Sequence, residues 1–325
     1  MKGRHDESID IIKFVAVFLI INSHADICYP KYSILATGGA IGDCAFLFVS
    51  GFTLFRGELK RFDNYYRRRI SRIFPSVISC CAVTTLLSRF FDMGEVKGFF
   101  DYDFINAIMI YYVLLYLVRR FMMKRIEWVI GGGILITLLV YVFWFPYKYE
   151  TSSKGIYGIT TLFRWIPYFS MMLMGAMVGL KKETMCFSFK WDCIKAVLCL
   201  SLFYGIQMMA KFYPSIAPLQ IITVFFLAGI VYYVYKCFNA DIFMRLYYTR
   251  MGNWTIMAIG GLCLESYLIQ FTIITDKWNF LFPFNIPIVI LMVLLAAYIV
   301  RCIARIFIQT FRTEDFEWRK VFVLK

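Results

Sequence analysis

The chain has 325 residues, of which 61% are hydrophobic, 19% aromatic and only 17% charged, and its mean hydropathy is +0.67. A soluble domain averages roughly 45–50% apolar and about 25% charged, so this chain has too little polar surface to cover a water-soluble globule. Its aromatic content also excludes a disordered chain, and ten cysteines fall short of the roughly 8–10% of a disulfide scaffold. The net charge of +14 would suit nucleic acid only if the basic residues shared a solvent face. They lie between apolar runs instead, as in the loops of a polytopic membrane protein, and no nucleic-acid partner is expected.

A membrane-crossing helix needs roughly 20 mainly apolar residues. In chain order the segments that reach this are 9–28, 35–55, 73–91, 102–118, 128–145, 161–180, 192–211, 219–236, 253–275 and 286–308. The expected fold is therefore all-α, a transmembrane bundle of about ten helices in contact with membrane lipid. No linker is long enough to divide it, so residues 1–325 are expected to form a single integral-membrane domain. Lys and Arg set the orientation. Clusters at Arg56–Arg72, Arg119–Arg125, Lys181–Lys190, Lys236–Arg250 and Arg312–Lys320 alternate with loops holding only scattered residues such as Lys31, Lys97, Lys148, Lys154 and Lys277. The excess is about threefold and places both termini in the cytoplasm. Trp144, Pro146, Trp278, Pro283 and Pro287 then mark the outer interface. Gly131–Gly133, Gly175 with Gly179, and Gly260 with Gly261 read as places where helices approach closely.

An ionisable residue inside the membrane costs at least about 2.5–3.5 kcal/mol, so these residues are the first candidates for chemistry. They are Asp10, Lys13, His24 and Asp26 in the first segment, Asp43 in the second, Arg164 in the sixth and Glu265 in the ninth. His24 stands in Ile21-Asn22-Ser23-His24-Ala25-Asp26. A neutral imidazole accepts a proton near pH 7, which suits a general base; the bland reading is a hydrogen-bonded packing histidine. Asp10 and Lys13 share a helix face and can pair. Asp26 is two residues from His24, which a helix does not turn into a dyad. One histidine in an apolar helix without Cys-x-x-Cys makes no metal site. The cysteines read as small apolar residues, and neither a P-loop nor a Gly-x-Ser-x-Gly elbow occurs.

A second cluster runs Tyr65-Tyr66-Arg67-Arg68-Arg69-Ile70-Ser71-Arg72-Ile73-Phe74-Pro75. Such basic stretches ordinarily serve topology and anionic lipid. Arg69 and Arg72 are nevertheless one helical turn apart, so both guanidinium groups can face one polyanion, and their planar forks suit phosphate.

Four motifs, in order, resemble the integral-membrane acyltransferase family 3. They are Asp10-Ile11-Ile12-Lys13 followed by His24; Phe46-Leu47-Phe48-Val49-Ser50-Gly51-Phe52; Arg69-x-x-Arg72 with Pro75; and Glu265-Ser266-Tyr267-Leu268-Ile269-Gln270. Weaker similarity lies in Tyr111–Leu115 and from Phe163-Arg164-Trp165 to Gly175. Lys13 stands where the family usually has arginine, Cys44 where many members have an acidic residue, and Gln270 where many have histidine. The resemblance implies transfer of an acyl group, usually acetyl from acetyl-CoA, to a hydroxyl of a surface or exported glycan or lipid-linked saccharide. It makes His24 the catalytic histidine and puts Arg69, Arg72 and Lys13 at a cytoplasmic acyl-CoA site. Asp10, Asn22, Ser50, Arg164 and Glu265 are supporting candidates. Glu265 needs a partner, either Lys13 or a basic residue of a neighbouring helix. No metal is expected, a homo-oligomer is allowed, and the implied location is a bacterial cytoplasmic membrane. The rival from another class is a transporter or flippase for a glycan or lipid-linked substrate, which predicts broken helices near the midplane. A non-enzymatic assembly partner is a third reading, and it leaves the buried histidine without a purpose.

Overall fold

A computed structural model describes residues 5–91, 97–98, 100–145, 155–158 and 162–324. Pro146, Lys148 and Lys154 lie outside the described residues. In lipid every backbone polar group has to be satisfied within its own segment, which favours helices, and no strand occurs among the described residues. The helices are α1 (Glu7–His24), α2 (Gly39–Arg56), α3 (Phe62–Phe91), α4 (Asp103–Phe121), α5 (Ile126–Trp144), α6 (Trp165–Lys181), α7 (Phe189–Phe212), α8 (Thr223–Phe238), α9 (Asp241–Tyr248), α10 (Arg250–Gly261), α11 (Cys263–Ile273), α12 (Asn285–Thr310) and α13 (Trp318–Phe322).

Among the described residues, seven helical stretches are long and apolar enough to span a membrane, or eight if α10 and α11 count as one. The two other expected spans form helices of different character. Within 18 residues α1 carries Glu7, Asp10 and Lys13, and α6 has only 17 residues. The expected continuous span over 253–275 is broken at Leu262, where α10 and α11 meet at 65°. The physical reason lies in Gly260-Gly261, since glycine in a helix interior costs about 1 kcal/mol relative to alanine. By contrast α3 runs unbroken through Pro75, a substitution that membrane helices tolerate.

The chain folds into two compact units. The first comprises Met1–Ile12, Ala40–Leu59 and Leu114–Thr249; the second comprises Lys13–Gly39, Lys60–Val113 and Arg250–Lys325. In the first unit α2 crosses α6 backbone to backbone. A Cβ on Gly51 would lie 1.8 Å from the Met172 carbonyl oxygen, and one on Gly175 would lie 2.0 Å from that of Phe48. Gly179 faces Phe52 in the same way, so this crossing is the close approach the small residues announced. Gly131 and Gly132 have nothing within 4 Å, whereas a Cβ on Gly133 would lie 2.8 Å from the Ser170 hydroxyl of α6, so of the expected glycines there only Gly133 meets a neighbouring helix. Around the crossing, Phe48, Phe52 and Tyr235 form a buried aromatic group.

In the second unit α3, α11 and α12 pack together. α13 folds back on α12, where Tyr298 donates to the Phe322 carbonyl (3.0 Å) and Arg305 to that of Val321 (3.0 Å). The connection after α1 is tied down by asparagines. Asn279 donates to the Ile27 carbonyl (2.8 Å) and Asn285 to that of Cys28 (2.7 Å).

Candidate functional site

His24 is the last residue of α1 and is half-buried in the second unit. Its ring meets Phe271 of α11 edge-on, with centroids 4.8 Å apart. The Lys97 ammonium stands 3.6 Å above the centre of the same ring, a cation–π contact. Imidazole and ammonium thus share one aromatic platform. Asn22 does not turn toward this platform with its amide. It donates to the carbonyls of Leu35 (2.8 Å) and Thr37 (3.0 Å) and accepts from the Tyr29 hydroxyl (2.6 Å). Asn22 therefore pins the following loop to α1, and in doing so fixes the end of the helix that carries His24. Ser23 donates to the Ile20 carbonyl (2.8 Å), and Asp26 is exposed. In this loop burial pushes the Cys28 thiol and the Tyr29 phenol above their ordinary values.

Arg69 and Arg72 lie one turn apart on α3, as their spacing requires. Arg72 is exposed. Arg69 is half-buried against the rings of Tyr65 (5.5 Å) and Tyr112 (5.8 Å), and its Nε is buried without a hydrogen bond among the described residues. Aromatic faces of this kind hold a guanidinium in place while leaving its outer nitrogens free to donate.

Glu265, in the first turn of α11, accepts a hydrogen bond from Ser76 of α3 (2.9 Å). A carboxylate is favoured there by the helix dipole. Arg305 of α12 acts on it electrostatically, while its own Nη1 donates to the Val321 carbonyl (3.0 Å). Arg301, one turn earlier on α12, places Nη1 2.7 Å from where a Cβ on Gly261 would stand. A guanidinium thus occupies the room left by the glycine at the α10–α11 break. The apolar run 286–308 conceals both arginines, although the intramembrane-charge argument applied to Glu265 would have found them.

Gln270, the residue before Phe271, is fully buried. Neither its Oε1 nor its Nε2 meets a hydrogen-bond partner among the described residues. Leaving such a group unsatisfied costs about 1–3 kcal/mol, and a sequence cannot reveal which of its amides pays it.

Of the remaining candidates, Asp10, Ser50 and Arg164 sit in the first unit and Lys13 in the second. Asp10 is buried, accepts from the Tyr247 hydroxyl (3.1 Å) and lies 2.6 Å from His5 Nε2. Ser50 precedes the glycine of the α2–α6 crossing. Arg164 stands at the start of α6 and ties it to the preceding segment, donating to the carbonyls of Tyr157 (3.1 Å) and Gly158 (3.2 Å), stacking on Trp165 and acting electrostatically on Asp43. Lys13 is half-buried at the start of the second unit. No group of three metal-ligating side chains occurs among the described residues.

An all-helical chain with several apolar spans and its buried ionisable groups gathered on a few helices has the character of a membrane enzyme or carrier. Between these, the decisive comparison is a match to an acyltransferase domain over residues 6–305. The chain belongs to acyltransferase family 3, a family of membrane acyltransferases. No curated protein and no solved structure matches it. The helix α13 and the residues leading to it lie beyond the matched region.

Proposed function

We propose that the protein is a membrane O-acyltransferase that moves an acyl group, acetyl in the simplest case, from cytoplasmic acyl-CoA to a hydroxyl of a cell-surface or exported glycan. The observation that carries this reading is that Arg69, Arg72 and His24 belong to one compact unit. There the arginines stand near the start of α3 and the imidazole stands on α11 through Phe271. With the basic loops in the cytoplasm, the arginines face the compartment that contains acyl-CoA. His24, about 20 Å along α1 from Asp10, stands toward the opposite face.

The diphosphate of the donor binds the Arg69–Arg72 turn, where paired guanidinium groups suit phosphate oxygens. The thioester reaches His24 on its thin arm. As the acceptor oxygen attacks the thioester carbon, His24 removes its proton; the C–O bond forms, the C–S bond breaks, and the proton passes on to the departing thiolate. General-base help of this kind contributes about 10²–10⁴-fold. The acceptor, a glycan or lipid-linked saccharide, arrives from the outer side of a bacterial cytoplasmic membrane.

A second reading, movement of a glycan or lipid-linked substrate across the membrane, draws on the break at Leu262, because carriers build their sites on interrupted helices. Label transfer separates the two. The purified protein, given acetyl-CoA labelled in the acetyl group, is expected to place label on glycan; His24→Ala abolishes this and Arg69→Ala raises the KM for the donor. Normal glycan acetylation in cells whose protein carries His24→Ala would overturn the proposal.

A further inference from the structure

The second unit holds buried polar groups that the reading above does not use, and their contacts put them in order. Ser76 of α3 meets Glu265 of α11. One turn further, Cys80 lies 3.7 Å from the Tyr102 hydroxyl, which reaches the Leu268 carbonyl (3.4 Å). The two helices therefore run in the same direction and keep level. Arg69 and Arg72 precede Ser76 on α3. Gln270 follows Leu268 on α11, and Phe271, with His24 on its edge, comes next. Read from the arginines, the order is Arg72, then Glu265 near the break where Arg301 lies on Gly261, then Gln270, then His24. At 1.5 Å per residue the axial distance from Arg72 to Gln270 is roughly 14 Å.

Two members of this series have buried atoms without a hydrogen bond among the described residues, Arg301 at Nη1 and Gln270 at both Oε1 and Nε2. A carboxamide offers donors and an acceptor together, so its full satisfaction needs a partner that gives both. A secondary amide does so, and the pantetheine arm of CoA carries two. A sugar hydroxyl also does so, but an acceptor approaching from the far end of α11 meets His24 before it meets Gln270. Full burial of Gln270 likewise suits a thin chain better than a pyranose ring.

We infer that Gln270 binds the acyl donor, its carboxamide exchanging hydrogen bonds with an amide of the pantetheine arm, and that Arg301 Nη1 donates to an oxygen of the same arm nearer the break. The inference rests on the acyl-CoA reading and deepens it. Gln270 then fixes how far the arm extends and hence where the thioester stops against His24.

The test uses the full chain in lipid nanodiscs, with calorimetric binding of CoA and, separately, of its nucleotide end alone, an adenosine bisphosphate without the arm. In Gln270→Leu the Kd for CoA is expected to rise at least about tenfold, with that for the adenosine bisphosphate unchanged. The melting temperature of the unliganded protein is expected to hold or rise, because an unsatisfied amide has been removed. Arg301→Met follows the same pattern. Unchanged CoA affinity in Gln270→Leu, or equal weakening of both ligands, overturns the inference while leaving the acyl-CoA reading standing. Failure of the unmodified protein to bind CoA overturns that reading itself.

Discussion

The two units differ in where their ion pairs lie. In the first, buried charges meet each other. Lys182 lies 2.7 Å from Asp6, Lys236 lies 2.7 Å from Asp192, and Tyr235 and Tyr247 donate to Asp6 and Asp10. In the second, the ion pairs Arg61–Asp63 and Arg312–Glu314 are at the surface. Its interior holds Arg301 and Gln270 with atoms that meet no hydrogen-bond partner among the described residues. The first unit also leaves Arg164 Nε and Gln207 Nε2 without a hydrogen bond among the described residues, but its buried carboxylates Asp6 and Asp192 meet ammonium groups, which offsets part of what a membrane interior costs a charge. The difference teaches where to look for a ligand. Paired charges hold a fold, and a fully buried group such as Gln270, with both amide atoms unsatisfied among the described residues, is a place to test for a ligand.

The sharpest way to break this comparison is to change one group in each unit and watch stability and turnover separately. His24→Ala, in the second unit, is expected to lower the acyl-transfer rate about 10²–10⁴-fold. Its melting temperature should move less than that of a variant that breaks a buried ion pair, since the ring is half-buried and meets Phe271 edge-on. In the first unit Asp192→Asn leaves Lys236 largely buried without its carboxylate. Losing one partner of a buried pair costs about 3–5 kcal/mol, so thermal denaturation should shift clearly downward. Activity per folded molecule should be unchanged. Replacing Asp192 and Lys236 together by leucine should recover most of the loss. A His24→Ala protein that melts as early as Asp192→Asn would erase the distinction.

A smaller effect sharpens the picture at the loop that ends α1. Asn22→Ala removes three hydrogen bonds, each worth about 1 kcal/mol net. The loop over residues 25–38 should then exchange its amide hydrogens faster, as hydrogen-exchange mass spectrometry would report. Turnover should fall less than in His24→Ala, because Asn22 positions the helix end and does not touch the imidazole with its amide. An exchange pattern identical to the unmodified protein would count against that positioning role.

Much of this was legible in the residues and some was not, for definite reasons. Hydropathy located every long apolar helix, because a membrane leaves the backbone few alternatives. It also joined α10 to α11, because a hydropathy average does not register that two adjacent glycines and an arginine from α12 allow a bend at Leu262. Gly175 and Gly179 announced their crossing, while Gly131 and Gly132 carried the same signal and pack against nothing within 4 Å. A glycine reports what is permitted, and only the partner helix decides what occurs. For the candidate site, the turn spacing of Arg69 and Arg72 survived intact. The platform under His24 did not show, since Lys97, Phe271 and Gln270 are ordinary residues until folding brings Phe271 to the imidazole.

The finest probe is chemical. Cys28 is buried in the loop behind His24, and its thiol donates to the Thr275 carbonyl (3.4 Å). Burial raises its pKa above the ordinary 9.0, and only the thiolate reacts with alkylating agents. At pH 8 Cys28 should therefore react more slowly than Cys186, which is exposed. The linkage has a fixed sign. An acid whose folded pKa is raised keeps its full contribution below the unfolded value and loses it as pH climbs above 9.0 toward the folded one. Melting temperatures measured from pH 8 upward should thus fall more steeply for the unmodified chain than for Cys28→Ala, whose methyl side chain does not titrate. Parallel curves, together with equal alkylation rates at the two cysteines, would mean that this loop opens to water, and that the end of α1 is less firmly held than its asparagine ties require.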